Sequence, residues 1–464
     1  MMPLKAGFAS CDITPPLGAP MAGYGNRDHG ATALEDPLEA RVLVLDNGET
    51  TVGFVCTDLI GVQARTVAGT RERIEADTDI PPKNVMICGS HTHFGPALEP
   101  VGYMTEKLKK AVSEDYRVTL MDSLAGLVSE AYEHMQPVRV GCGTGRALGI
   151  SFNRRPVNIE TKEVAMNLTM EPEAAVAASM EGAKLADMWP RMGHLGPRLT
   201  SPLSDLDGLS AGIVDNEVPI LRVDTADGEP LATLVSFACH AVVNSDDHYA
   251  ISPDYIVTTR EAFEGVIGGH MLFAAGCAGD QVPTWRRGNS RRRVGHALGA
   301  EAAATWEKIE TLSDDVSLGC SSRTVNLPIP DDYPTPEEVE EDLAAVEDKD
   351  SYEYRRQQTR LERAQEHADD DSIEREVWAA RVGDMGIACT PSETLVEIGM
   401  QIKQRSPFDH TSVFSITNDY CGYLCTDEAF TEGGYEPGIG YNLNGPGTEE
   451  ILVETLLEML QELA

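Results

Sequence analysis

Asn84-Val85-Met86-Ile87-Cys88-Gly89-Ser90-His91-Thr92-His93-Phe94-Gly95-Pro96 is the stretch from which the rest of the 464-residue chain can be read. Its apolar front, Asn84 to Cys88, has the length and composition of a buried strand, and it empties into a turn of small residues with two histidines. Sites in α/β folds commonly sit where a strand ends, on a rigid scaffold with an open loop. Residues two apart in extended backbone face one side, so His91 and His93 can share a pocket. One imidazole then holds a Zn2+ ion while the other polarises a bound oxygen. Ordinary loop hydrogen bonding is the competing account of a bare H-x-H.

Outward from this strand, Ala40–Leu45 and Thr51–Cys56 alternate like paired strands around Asp46-Asn47-Gly48, a hairpin pattern. Val62–Ala76 has helical spacing and leads to the histidine strand. Asp58 ends the second hairpin strand, as a helix cap or as a carboxylate behind the site. Downstream, Tyr116–Met135 reads as an amphipathic helix, Val218–Val223 and Leu231–Ala238 as strands, Tyr255–Val266 as a helix and Met271–Ala275 as a strand. The order predicts an α/β fold, a layered mixed-sheet domain with flanking helices and a metal site at strand ends. No internal repeat or linker is visible, so residues 1–464 are expected to form a single catalytic domain. Within it, 170–216 reads as an excursion, a lid or a surface insertion. The charged stretch 334–376 reads as a solvated helical hairpin.

Net charge is −38, spread along the chain, which disfavours nucleic acid and anionic membrane surfaces as partners. Such an excess suits concentrated salt, where screening weakens self-repulsion. No apolar run is long enough for a membrane span, and Met1–Pro16 does not read as a signal peptide. The ten cysteines are scattered without a C-x-x-C, fitting buried thiols in a reducing compartment. A cytoplasmic, salt-adapted protein with a small-molecule substrate is expected; nothing in the sequence sets its oligomeric state.

Three strand ends each deliver a candidate ligand: His91, His240 and Glu393. Two imidazoles and a carboxylate suit catalytic zinc with one position left open, and the ion brings a coordinated water towards neutral pKa. Glu393 or a neighbouring carboxylate such as Asp280 is expected to share the proton. Arg286, Arg287, Arg291, Arg292 and Arg293 either ring the pocket mouth or neutralise nearby carboxylates. His248, with Asp246 and Asp247, is a second polar cluster, and Cys277 reads as a packed thiol.

Six motifs occur in order: GSHTHFGP at 89–96, FNRRP at 152–156, FACHAVV at 237–243, GCAGDQVP at 276–283, PSET at 391–394 and NDYCGYLCTDEAFTEGGYEP at 418–437. Together with DITPPLGAPMAGYG at 12–25 they resemble the catalytic domain of the neutral/alkaline ceramidase family. The resemblance implies zinc held by His91, His240, Glu393 and Tyr423, with His93, Arg154 and Tyr435 at substrate-polarising positions. Tyr420 competes with Tyr423 for the ligand role, and Arg155 with Arg154 for the substrate. No counterpart of the family's C-terminal immunoglobulin-like domain is expected. Val282 stands where the family carries a serine in a G-D-x-S-P-N turn. An acyl-enzyme through that residue is excluded, whereas metal-assisted hydrolysis needs no side-chain nucleophile.

The expected function is therefore zinc-dependent hydrolysis of an amide or other carbonyl-type bond of a soluble substrate other than ceramide. Cleavage of a glycoside, or ligand or zinc binding without turnover, are the alternatives. If the acidity is salt adaptation, the melting temperature rises from low to molar KCl; an unchanged melt contradicts it.

Overall fold

The computed structural model describes residues 3–158, 160–165, 170–192, 209–313, 316–438 and 442–464. Twelve strands carry the architecture. They are β1 (Lys5–Asp12), β2 (Glu39–Asp46), β3 (Thr51–Thr57), β4 (Val85–Gly89), β5 (Gln136–Arg146), β6 (Glu217–Thr225), β7 (Pro230–Phe237), β8 (His270–Ala275), β9 (Leu318–Pro328), β10 (Ser372–Val382), β11 (Met385–Cys389) and β12 (His410–Phe414). The first eight form one sheet in the order β8-β7-β6-β5-β1-β2-β3-β4, and the last four a second sheet in chain order.

Alternation decides the layers. In β2, Leu43 and Leu45 face a core shared with Trp378 of β10, Ile387 of β11 and Phe414 of β12, so the two sheets pack on each other. Val42 and Val44, on the opposite face, meet Val67 and Ile74 of the helix Ala64–Asp77 and Leu120 and Leu124 of the helix Glu114–Glu133. The outer face of the second sheet is covered by helices Val396–Arg405 and Thr448–Leu463. The predicted layered α/β class is what the chain adopts.

The topology holds a repeat that the sequence does not display. Three antiparallel strands, a crossover helix and a fourth strand parallel to the third occur as β1-β2-β3-helix-β4, again as β5-β6-β7-helix-β8 through Tyr255–Ile267, and again as β9-β10-β11-helix-β12 through Val396–Arg405. In every unit the second and third strands form a short hairpin, while the first and second are joined by a long connection. The third strands lead to Asp58, His240 and Glu393. The fourth lead to His91, Asp280 and the Asn418–Tyr423 segment.

Two segments differ from expectation. The excursion 170–216 contains the helix Pro172–Met192, which packs on the short strand Ser151–Asn153; residues 193–208 lie outside the described residues. Its Ala-rich spacing was masked by the surrounding Gly, Pro and Met residues. Asp58 is neither a helix cap nor a site residue. Fully buried, it receives two bonds from Arg260 of the second unit, at 2.6 and 2.7 Å, and one from Glu39 N at 2.9 Å. Removing one partner of such a pair strands a buried charge. Asp58→Ala is expected to lower stability by about 3–5 kcal/mol, read as an earlier urea midpoint. A midpoint equal to wild type contradicts this link between units.

Candidate metal centre

The backbone at His91 takes φ 64°, turning the chain sharply at the end of β4. His91 Nδ1 lies 2.8 Å from Ile60 O, and His240 Nδ1 lies 3.1 Å from Gln281 O. A carbonyl cannot donate, so each ring keeps its proton on Nδ1 and turns the Nε2 lone pair inward. Burial, reinforced by Arg154, lowers the His240 imidazole to about 4 and keeps it neutral near pH 7.

Glu393 follows β11 and forms a two-residue parallel ladder with Tyr423–Leu424. Its Oε2 stands 3.1 Å from His240 Nε2 and 3.3 Å from His91 Nε2. His93 Nε2 is 3.3 Å from His91 Nε2. Among the described residues, His91, His93 and His240 are grouped closely enough to hold a metal ion, their nitrogens all within 4.8 Å of one another. Lone pairs and a carboxylate thus crowd one point, an arrangement of acceptors that a cation relieves.

Surrounding groups fix this cluster. Arg27, buried, donates to His93 O at 2.8 Å and to Ala22 O at 2.6 Å. Gly23, at φ 97°, lies so near His93 that a Cβ would come within 2.4 Å of Nδ1, which explains a glycine there. Tyr420 donates its hydroxyl to Glu393 Oε1 at 3.0 Å. Arg154 donates to Tyr423 Oη at 3.1 Å and to Glu436 Oε1 at 2.8 Å, and its guanidinium sits 5.9 Å from the Tyr435 ring centroid. Arg155 is engaged by Glu436 Oε2 at 2.6 Å and by Gly433 O at 2.9 Å, and it is fully buried. Of the paired arginines, Arg154 lines the cavity described next, while Arg155 braces its backbone.

That cavity, of about 510 Å3, is lined by His93, Arg154, His240, Glu393, Tyr420, Tyr423 and Tyr435, so seven side chains from distant parts of the chain open on one space. Val282 also lines it, packed with Phe152 and Val242 where the resemblance placed a serine. Asp280 is not among the lining residues. It lies buried behind the site, where its carboxylate accepts from Asn153 Nδ2 at 2.7 Å and Val396 N at 3.1 Å, and its carbonyl accepts from Arg154 N at 2.8 Å. Together the Asp280 carboxylate and carbonyl hold the Asn153–Arg154 turn.

The arginine run divides as well. Arg286 lines the cavity, but Arg291 pairs with Asp36 and Glu35, and Arg293 stacks 3.9 Å over Trp285. His248 bonds to Glu35 and does not line the cavity, and Cys277 is a buried thiol raised by burial. The expected solvated hairpin instead contributes a wall. Helices Pro336–Ala345 and Tyr352–Glu366 pack together, and Arg356, Thr359 and Arg363 of the second face the cavity. Spacings of four and three residues put Tyr352, Arg356, Thr359 and Arg363 on one helical face, a stripe legible in the sequence but hidden by the charge around it. Glu436 was also missed, though it follows Tyr435 directly.

Residues 4–163 match the family described as neutral/alkaline non-lysosomal ceramidase, N-terminal. Neutral ceramidase 3 of Arabidopsis thaliana is 28% identical over 159 residues, 32% of this chain and 21% of that protein. Neutral ceramidase 2 of the same plant is 30% identical over 156 residues, 32% of this chain and 20% of that protein. The aligned stretch thus spans about a fifth of either relative. The crystal structure of neutral ceramidase from Pseudomonas aeruginosa superposes with a TM-score of 0.68 at 19% identity, covering 99% of this chain and 74% of that one. A ceramidase complexed with C2 gives 0.71 at 17% identity, covering 99% and 75%. The ceramidase resemblance therefore holds in sequence for the first third and in fold for the whole chain. No helix among the described residues is long and apolar enough to cross a membrane.

If the crowded acceptors are a metal centre, elemental analysis of the purified chain finds about one divalent ion per molecule, in line with a single open-sided zinc set. His91→Ala and His240→Ala each lose it. Full retention by both variants contradicts the centre.

Proposed function

We propose that this relative of the neutral/alkaline ceramidases is a metal-dependent hydrolase, built as one catalytic domain, that cleaves an amide or other carbonyl-type bond of a small molecule. The observation that carries the reading is the convergence of two inward Nε2 lone pairs on the Glu393 carboxylate, at 3.1 and 3.3 Å, beside a cavity. Zinc is the proposed ion, because two imidazoles and a carboxylate suit it. The proposed ligands are His91, His240, Glu393 and Tyr423. Tyr423 is favoured over Tyr420 because the Tyr420 hydroxyl donates to Glu393, orienting that carboxylate, whereas the Tyr423 oxygen accepts from Arg154. The proposed setting is the cytoplasm at high salt, supported by ten free cysteines and the net charge of −38.

When bound, the ion supplies Lewis acidity and a lowered pKa for a water molecule. The protein supplies the rest. His93, Arg154 and Tyr435 border the cavity as donors for the negative charge that develops on an attacked carbonyl oxygen. Arg154 is preorganised by Glu436 and Tyr423, so little reorganisation accompanies reaction. His93 is held by Arg27 through its carbonyl and by the close backbone of Gly23. Val282 offers no nucleophile, so attack by water is the route that remains at that turn.

The zinc-loaded chain is expected to hydrolyse members of a panel of N-acyl amides and to leave glycosides intact. His91→Ala abolishes turnover, and Arg154→Ala lowers kcat by about 10²–10³-fold, the usual cost of one oxyanion donor. Cleavage of glycosides alone, or amide cleavage that survives His91→Ala, contradicts the proposal.

A further inference from the structure

We infer that the substrate carries an anionic group, a carboxylate or a phosphate, received by Arg356, Arg363 and Arg286 in the cavity that holds the metal centre; the inference rests on the hydrolase reading above. In a chain with 37 basic and 75 acidic residues, the general field repels anions. Yet four guanidinium groups, those of Arg154, Arg286, Arg356 and Arg363, line a single cavity of about 510 Å3. Arg154 is committed to Glu436 and Tyr423 at the reacting end. The other three come from two elements: Arg286 from the turn after Val282, and Arg356 and Arg363 from the helix Tyr352–Glu366.

The lining carries two carboxylates, Glu393 and Glu99, against these four guanidinium groups. Glu393 is turned to His91 and His240, and Glu99 is paired with Arg65 at 3.2 Å. Arg356 contacts Glu353 at 3.0 Å, an exposed pair three residues apart on one helix, of a kind that contributes little. A guanidinium has five donors, so contact with the protein and with a ligand oxyanion are compatible, and its fork matches a carboxylate or phosphate.

The platform is also fixed in place. A Cβ on Gly102 would meet Thr359 Oγ1 at 1.8 Å and one on Gly25 would meet the Tyr352 ring at 2.2 Å, so both loops lie flush against this helix. Arg355 Nε donates to Tyr103 O at 2.8 Å. A helix serving only as a solvated surface has no need of such an attachment to the site loops. The cavity volume falls within the range of small-molecule sites, about 300–1,000 Å3, which fits a compact charged acyl compound.

The test is calorimetric titration of the zinc-loaded full chain with N-hexanoylglycine, N-hexanoyl-phosphoethanolamine and the neutral N-hexanoylglycinamide. The expected result is that at least one anionic compound binds about tenfold or more tightly than the neutral one, the scale of one charge-assisted contact. The stronger of the two identifies carboxylate or phosphate. In the double variant Arg356→Gln/Arg363→Gln the preference collapses to within about twofold, and Arg286→Gln reduces it separately. Equal affinity for charged and neutral compounds, or no binding of either anion, overturns the inference. So does a preference that survives the double variant, because the anion then sits on the metal. Binding is read without turnover, so a retained preference with no cleavage of any compound sinks the hydrolase reading alone.

Discussion

Two imidazole nitrogens held within 3.3 Å of one buried carboxylate oxygen are the constraint on which this molecule turns. His91 and His240 each turn Nδ1 to a backbone carbonyl, Ile60 O and Gln281 O, and both then face the Glu393 carboxylate through Nε2. Burial makes the arrangement costly, since unpaired acceptors in a low dielectric lose their hydration without compensation. A bound cation turns that cost into binding energy. The inner ring of supports follows from it: Tyr420 orients Glu393, Glu436 holds Arg154, and Asp280 fixes the turn on which Arg154 sits.

The threefold use of one strand–helix unit explains how residues so far apart in sequence reach this point. Third and fourth strands run parallel in each unit, so their carboxyl ends lie side by side, where α/β sheets place their sites. Long connections between first and second strands are the parts free to vary. Tyr24 comes from the first, Arg154 from the second, and Arg356 with Arg363 from the third, and all four line the cavity. The strand ends thus bring His91, His240 and Glu393, the proposed metal ligands, while the connections bring further side chains to the cavity wall.

Much of this was legible in the residues. The hairpin of β2 and β3 follows from the alternation around Asp46-Asn47-Gly48. The helix Glu114–Glu133 follows from the apolar spacing of Tyr116–Met135. The strand ends at His91, His240 and Glu393 could be read locally, because an apolar run stopping at small or polar residues marks its own boundary. Their convergence could not, since it depends on sheet order and was suggested only by the family motifs. Charge concealed the role of the helix Tyr352–Glu366: its cavity stripe is polar, and a polar face reads as solvated whether it meets water or a ligand. The direction of the Asp280 side chain was hidden for a related reason. Its neighbourhood in sequence is the site, but its side chain points to Asn153 and the start of the helix Val396–Arg405, a direction set by tertiary packing.

Anomalous diffraction from crystals grown with zinc, collected on both sides of the zinc absorption edge, addresses the central claim most directly. The account predicts one strong peak about 2.0–2.2 Å from His91 Nε2, His240 Nε2 and a Glu393 oxygen, the bond lengths zinc takes with such ligands. A map with no peak among these three side chains, or with its main peak at another cluster, contradicts it.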